Sequence, residues 1–198
     1  MGEIRGIMLN AWLSFLKTRY GDQAVAAAAG KLAPEDRLQL EKVILDSSWY
    51  PIETTRLLSK LQAAINDKDK SDVAQESGRY MAEYVFTGVY RMFLARDPLS
   101  QGKKIMQASN YFYRNVHKLE VDLTGPASCT VRYRLAQGRP SVATCNTRKG
   151  WWARALELAG ADSVIITHPQ CRARGGEVCE FLVEWRAPAD SGQRKPTK

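Results

Sequence analysis

Apolar residues recur at helical spacing through the first half of the chain, which predicts a series of amphipathic helices. The first lies within residues 4–20 and ends before Gly21, a residue suited to a helix C-cap. A third, short helix begins at Pro34, because proline is favoured in the first turn of a helix, and extends to Leu45. The predicted helices cover residues 4–20, 22–30, 34–45, 52–65, 71–95 and 99–116.

The periodicity changes after residue 117. Apolar residues alternate with polar ones over 119–123 and 129–135, and Gly125-Pro126 turns the chain between them, which predicts an antiparallel pair of strands. A helix over 150–159 and strands over 163–167 and 179–186 follow. We therefore expect an α+β fold in which a helical N-terminal half precedes a small antiparallel sheet with a crossing helix.

The same patterns set the expected domain organisation. Residues 1–186 are expected to form a single domain, with a helical part over 1–117 and a sheet part over 118–186. The segment 187–198 is rich in Pro, Ser, Gly, Gln and Lys, a composition that predicts a disordered basic tail.

Composition narrows the class of protein. Of the 198 residues, 44% are apolar and 25% charged, as in ordinary globular proteins. The chain contains neither a run of about 18 apolar residues nor a signal-peptide pattern at its N-terminus, so we expect a cytoplasmic protein without a membrane span. Intracellular cysteines are more often thiols or metal ligands than disulfides.

The net charge of +8 raises the alternative of a nucleic-acid-binding protein. The positive charge is spread along the chain and accompanies no nucleic-acid motif, which favours solvated basic surface. Phosphate contacts, in that alternative, would come from Arg132, Arg134, Arg139, Arg148, Lys149 and Arg154.

The most informative chemistry lies near the C-terminal end. Cys145, His168, Cys171 and Cys179 have the spacing Cys-x22-His-x2-Cys-x7-Cys. Three thiolates and one imidazole suit tetrahedral zinc, and Gly175-Gly176 allows the chain to turn between two of the cysteines. The alternative is that these cysteines are buried core thiols. Four protein ligands would leave no open position for water, so such a zinc would be structural.

Enzymatic function is not expected. The chain has two histidines and contains no Gly-x-Ser-x-Gly, phosphate-binding loop or His-Glu-x-x-His motif. A Cys171 nucleophile assisted by His168 is the enzymatic alternative.

Two segments carry a family resemblance. The pattern Gly150-Trp-Trp followed by Cys171-x3-Gly-Gly-x2-Cys-x-Phe-x-Val-x-Trp185 resembles the end of 4-vinyl-reductase-like small-molecule-binding domains. The resemblance implies a zinc bound by Cys, Glu, Cys and Cys at the four positions named above, with His168 in place of the acidic ligand. Arg5-Gly-Ile, Trp12, Tyr20-Gly and Trp49-Tyr50-Pro51 resemble an uncharacterised bacterial family of similar length that is distantly similar to haem nitric-oxide-binding domains.

This resemblance implies a non-enzymatic, sensor-like or scaffold domain with a structural zinc. Such a domain would bind a small apolar or aromatic ligand between helices and sheet, or a protein partner, and a homodimer is a further expectation. We expect the ligand pocket to be lined by aromatic residues, namely Trp49, Tyr80, Tyr84, Tyr111, Phe112 and Trp152.

Haem-based gas sensing is the alternative that the same resemblance raises. It requires an axial histidine on the helix before the sheet, where His117 is the only histidine nearby. Haem nitric-oxide-binding domains hold the haem propionates with a Tyr-x-Ser-x-Arg motif, whereas the corresponding strand reads Cys129-Thr-Val-Arg-Tyr-Arg134. Haem is therefore not expected as the cofactor.

Overall fold

The structure is a computed structural model that describes residues 1–65 and 70–186. The predicted basic tail, 187–198, lies outside these residues. The α-helices are α1 (Gly6–Tyr20), α2 (Asp22–Gly30), α3 (Pro34–Leu40), α4 (Thr54–Ile65), α5 (Lys70–Thr87), α6 (Pro98–Phe112) and α7 (Val142–Leu158). The strands are β1 (Glu3–Arg5), β2 (Trp49–Pro51), β3 (Tyr113–Arg114), β4 (His117–Gly125), β5 (Ser128–Leu135), β6 (Ser163–Gln170) and β7 (Cys179–Arg186).

The strands form two antiparallel sheets. A four-stranded sheet has the order β4-β5-β7-β6, and a small sheet has the order β2-β1-β3. Strand β7 shows the alternation that one covered face requires, with Cys179, Phe181, Val183 and Trp185 buried and the residues between them more exposed. The α+β prediction is confirmed.

Helices α5 and α7 join the helical half to the sheet half. Gly78 of α5 faces the carbonyl of Thr147, and Gly150 of α7 faces the carbonyl of Gln75. A β-carbon at either glycine would overlap the facing carbonyl oxygen. The two helix backbones can approach this closely only because neither position has a side chain.

Several predicted boundaries are wrong. Strands β1 and β2 were missed, because three-residue strands are too short to display an alternating pattern. Helix α3 ends at Leu40 instead of Leu45, and Leu38 and Val43 are exposed. Helix α5 ends at Thr87, where a turn and a 3-10 segment follow.

The correction to α7 matters most for the candidate site. The helix begins at Val142, eight residues before the predicted start, because the Ser141 hydroxyl accepts a hydrogen bond from the Thr144 amide and caps it. Cys145 and Arg148 are consequently helical residues. Within the described ranges, none of the helices combines the length and apolar character needed to cross a membrane.

Candidate functional site

Four predicted metal ligands converge at one end of the large sheet. Cys145 lies in the first turns of α7, His168 near the end of β6, Cys171 just after β6 and Cys179 at the start of β7. The Cys145 Sγ lies 3.8 Å from the sulfurs of both Cys171 and Cys179, and the four ligand atoms all lie within 4.8 Å of one another. We call these four residues the Cys3His cluster.

A tight turn brings the two later cysteines together. The backbone N–H groups of Arg174 and Gly176 both donate to the Cys171 carbonyl, each at 2.9 Å. Gly175 has φ = 95°, a left-handed conformation that glycine adopts without a steric cost. This geometry gives the Gly-Gly pair the turning role that the sequence predicted.

His168 packs against an aromatic ring and has one nitrogen without a hydrogen-bond partner among the described residues. Its ring stacks on Phe181 with centroids 4.1 Å apart and planes 9° apart, and its buried Nε2 makes no hydrogen bond. Burial, followed by the positive charges of Lys149, Arg174 and Arg148, lowers the His168 pKa to about 4. The ring is therefore neutral near pH 7, the state in which imidazole binds metals.

All three cysteines of the cluster are buried. Burial and, next, the neighbouring Cys179 raise the pKa of the Cys145 thiol. A bound metal ion reverses this preference, because a coordinating thiol is deprotonated outright. The geometry thus supplies three sulfurs and one imidazole nitrogen around one point, a donor set that suits a tetrahedral metal ion.

A second group of polar side chains lies between α6, α7 and the sheet. His117 is the first residue of β4, not a residue of the helix before the sheet. Its ring lies between those of Tyr113 and Tyr133, at centroid distances of 5.0 and 5.1 Å, and its Nε2 is 2.8 Å from the Ser109 hydroxyl. The Cζ atom of Arg148 lies 4.1 Å from the centroid of the Tyr133 ring.

Two nitrogen atoms of this group are buried without partners, His117 Nδ1 and Arg148 Nη1. Burial and, second, the Arg148 charge lower the His117 pKa to about 3, so this imidazole is also neutral. We call Tyr113, His117, Tyr133 and Arg148 the inner polar group. The chemistry of His117 fits an iron ligand, because it is a neutral imidazole with one unpartnered ring nitrogen.

Sequence reasoning did not single out Tyr113 and Tyr133, named His117 only as a candidate haem ligand, and placed Arg148 on a basic surface. The missed signal is helical spacing: Arg148 follows Cys145 by three residues and precedes Trp152 by four, which puts all three on one helix face. A helix predicted to begin at residue 150 concealed this relation.

The six residues predicted to line a ligand pocket fall into separate places. Trp152 is fully buried and donates from Nε1 to the Tyr133 hydroxyl at 2.8 Å. Tyr80 and Tyr84 stack on each other on α5, with centroids 6.3 Å apart.

The other three lie near the small sheet. Tyr111 and Phe112 contact each other at 5.3 Å, and Trp49 lies between the guanidinium groups of Arg5 and Arg114. The six side chains therefore do not converge on one cavity.

The basic residues proposed for phosphate contacts are largely engaged. Arg132 pairs with Glu180 and Asp122, and Arg134 pairs with Glu120. Arg154 pairs with Glu83 and Glu157. The outer face of the sheet thus carries arginines paired with carboxylates. Nucleic-acid binding instead uses a uniformly basic stripe.

Comparison with known proteins rests on structure. No family model matches the sequence, and no curated protein matches it significantly. Solved structures match over nearly the whole chain and are H-NOX proteins. The Fe(II) unliganded H-NOX protein from K. algicida has a TM-score of 0.70 at 14% identity, with 96% of this chain and 100% of that chain covered.

Two more H-NOX structures agree. The S. oneidensis protein in its Fe(II)NO state gives a TM-score of 0.68 at 16% identity, covering 92% of this chain and 99% of its own. An oxygen-binding H-NOX domain related to soluble guanylate cyclases, in its oxygen complex, gives 0.69 at 10% identity, covering 97% and 100%.

These comparisons correct the cofactor expectation. Haem was set aside because the Tyr-x-Ser-x-Arg motif is missing, yet the solved proteins of this fold include Fe(II) forms and one described by its heme redox potential. One missing motif was insufficient reason to dismiss haem. The 4-vinyl-reductase-like label finds no support, whereas the similarity to haem nitric-oxide-binding domains is confirmed for the fold: this chain has the H-NOX fold.

Proposed function

We propose that this protein is a non-enzymatic sensor domain that binds a small molecule within an H-NOX fold, and that haem is the first ligand to test. The observation that carries the proposal is the buried, unpartnered Nδ1 of a neutral His117, in a fold whose solved examples include iron-bound proteins. His117 would hold the iron, and the haem would supply the site for a diatomic gas. Ser109 and the two tyrosines would orient the ring.

The test is an absorption spectrum of the full chain after purification and after reconstitution with haemin. A Soret band is expected in the wild type and in Lys118→Gln, whose changed side chain lies on the next residue of β4 and is exposed. His117→Gln should lose the band or shift it. A Soret band that is identical in His117→Gln, or absent from the wild type, would reject haem at this residue.

We also propose that the Cys3His cluster holds a metal ion. The proposal rests on four ligand atoms within 4.8 Å and on the unpartnered Nε2 of His168. The ion would tie α7 to the end of β6 and the start of β7, because metal binding contributes directly to folding free energy. Rigidity at this end of the sheet would help a ligand-dependent change reach a partner protein or a second copy.

Elemental analysis of protein purified without chelators tests this second proposal. About one zinc, or another thiophilic metal, per chain is expected. Two variants distinguish haem iron from metal bound at the cluster. His117→Gln should keep the cluster metal, and Cys171→Ser should lose it. A metal-free wild type would leave the four residues as core thiols and a stacked histidine.

A further inference from the structure

Two buried nitrogen atoms of the inner polar group lack an explanation in the fold itself. Among the described residues, His117 Nδ1 and Arg148 Nη1 make no hydrogen bond, and the third buried nitrogen of this kind, His168 Nε2, belongs to a residue of the Cys3His cluster. Both His117 and Arg148 border the same ring, that of Tyr133. Buried polar groups in native proteins are nearly always hydrogen-bonded. Two neighbouring buried nitrogen atoms without a hydrogen bond therefore indicate that a ligand is missing between them.

The chemistry of the two groups specifies that partner. Arg148 is a permanent cation with N–H donors and no acceptor. When the Ser109 hydroxyl donates to His117 Nε2, the proton of the neutral ring lies on Nδ1, which then becomes a second donor. Two donors beside one positive charge complement an oxyanion.

Three other arginines of this half of the protein pair with carboxylates of the chain. Arg132, Arg134 and Arg154 each pair with one or two carboxylates at 2.5–3.2 Å. The Arg148 guanidinium instead stacks on Tyr133 and leaves its Nη1 buried and unpaired. A buried N–H group without a partner costs free energy, and an anion arriving from outside would offset that cost.

The surroundings select the rest of the ligand. The inner polar group itself contributes two aromatic rings, those of Tyr113 and Tyr133. The Tyr133 side chain also contacts the Phe181 ring and the buried Trp152 indole. Tyr113, His117 and Arg148 are only partly buried as whole residues, which places the group close to the surface. The body of the ligand is therefore expected to be apolar or aromatic, with its charge at one end.

We propose that Arg148 and His117 recognise the carboxylate of a small aromatic or aliphatic acid at this position between α7, β4 and β5. The inference rests on the small-molecule-binding part of the proposed function and names the chemical class of the ligand. It is the alternative to haem iron at His117, because Nδ1 cannot both bind iron and donate a hydrogen bond. It assigns Arg148 the charge-pairing role and His117 Nδ1–H the second hydrogen bond.

Calorimetric titration of the haem-free full chain with benzoate and benzyl alcohol tests the inference, because the two probes share a ring and differ in charge. Benzoate should bind the wild type more tightly than benzyl alcohol does. Arg148→Gln should weaken benzoate binding roughly ten- to hundredfold, the loss typical of a hydrogen bond to a charged group, and leave benzyl alcohol nearly unchanged. Lys118→Gln, which removes one charge from an exposed residue adjacent to His117, should behave as wild type.

The stability of the unliganded protein supplies an independent readout. In Arg148→Met the unpaired charge is gone and the apolar stem remains, so its melting temperature without ligand should equal or exceed that of the wild type, while benzoate should raise only the wild-type value. A structural Arg148 would give the opposite result, a lower melting temperature in Arg148→Met. That result would overturn the inference, as would benzoate raising the melting temperature of Arg148→Met as much as that of the wild type.

The outcomes separate the inference from the proposed function. Equal binding of benzoate and benzyl alcohol would refute the carboxylate site and still support a small-molecule-binding domain. A Soret band that depends on His117 would also refute it, because the imidazole would then be committed to iron, and would support the sensor. Failure of both probes and of haem to bind would overturn the carboxylate site and the proposed function together.

Discussion

The two histidines of this protein lie in similar environments and are suited to different partners. Both rings are neutral, both stack or pack against aromatic rings, and both carry a buried nitrogen without a hydrogen-bond partner. His168 shares its surroundings with three cysteine sulfurs. His117 shares its surroundings with two tyrosines, a serine hydroxyl and a guanidinium group.

The difference shows that an unpartnered imidazole does not by itself specify a ligand; its neighbours do. Sulfur donors around His168 can neutralise and bind a soft cation, so the Cys3His cluster has the character of a metal site. The Arg148 charge lowers the pKa of both imidazoles, and beside His117 its guanidinium group attracts an anion. Helix α7 contributes to both places, through Cys145 and Arg148, and this shared element gives the means of separating them experimentally.

Removing a cysteine ligand should give the largest loss of stability, and the change should be confined to the Cys3His cluster. Cys171→Ser is expected to lose the bound metal and to lower the free energy of unfolding by on the order of 3 kcal/mol or more, a fraction of the 10–16 kcal/mol typical of zinc-finger metal binding. Elemental analysis and urea unfolding measure both quantities.

The matched control for this variant is Cys129→Ser. Cys129 is a buried thiol of β5 outside the cluster, and burial raises its pKa to about 11. This variant should keep the metal and lose only the stability that a buried thiol contributes. Equal metal loss in both variants would contradict the assignment of the ligands.

A β-carbon at Gly150 should damage both regions at once. In Gly150→Ala the new methyl group overlaps the Gln75 carbonyl, so α7 has to move away from α5 and carry Cys145 and Arg148 with it. We expect a loss of roughly 3 kcal/mol of stability, at the upper end of overpacking effects, with weaker metal and benzoate binding. Thermal unfolding and the two titrations measure the change.

Gly30→Ala is the control for Gly150→Ala, because a β-carbon at Gly30 has no neighbour within 4 Å. Alanine at the end of α2 should leave stability unchanged or raise it slightly. If Gly150→Ala were as stable as Gly30→Ala, the close approach of α5 and α7 would be refuted.

The sequence predicted the Cys3His set and the strands of the large sheet because their patterns are local. The spacing of Cys171 and Cys179 around Gly175-Gly176 contains its own turn, and β7 alternates over eight residues. The inner polar group has no such local pattern. Its members lie in β3, β4, β5 and α7, and only the packing of these elements brings them together.

The six residues predicted to line an aromatic pocket lie in separate places for a related reason. An aromatic residue at helical spacing signals burial and does not reveal whether it faces a ligand or another ring. Phe112 packs against Tyr90 and Phe93, and Tyr80 packs against Phe15. These rings pack against one another, and their periodicity in the sequence could not show which partner each ring has.

The pH dependence of stability should distinguish His117 from an ordinary surface histidine. Its pKa is about 3 in the folded protein and near 6.5 when unfolded, so the unfolded chain binds more protons between these values. The stability contributed by the neutral ring is fully present above about pH 6.5 and is lost as pH falls toward 3.

His117→Gln is the variant that isolates this effect, since glutamine does not titrate. Between pH 6.5 and pH 4.5 we expect the wild type to lose roughly 2 kcal/mol more than His117→Gln, within the limit of about 1.4 kcal/mol per pH unit for one proton. Urea unfolding at several pH values measures the difference. Parallel pH profiles for the two proteins would show that His117 is not buried as a neutral ring.

The smallest expected effect concerns the N-terminal cap of α7. It tests whether the Cys3His cluster and the inner polar group can be perturbed separately along one helix. Ser141→Ala removes the hydroxyl that accepts from the Thr144 amide at 3.0 Å and should cost about 1 kcal/mol. Asp97→Ala removes an equivalent cap from α6, where the Asp97 carboxylate accepts from the Ser100 amide at 2.8 Å, and should cost a similar amount.

Because Cys145 lies one turn after Ser141 and Arg148 lies two turns after it, fraying should weaken metal binding more than benzoate binding, and only in Ser141→Ala. Equal metal affinities in the two cap variants would mean that the Cys3His cluster holds the start of α7 without help from its cap.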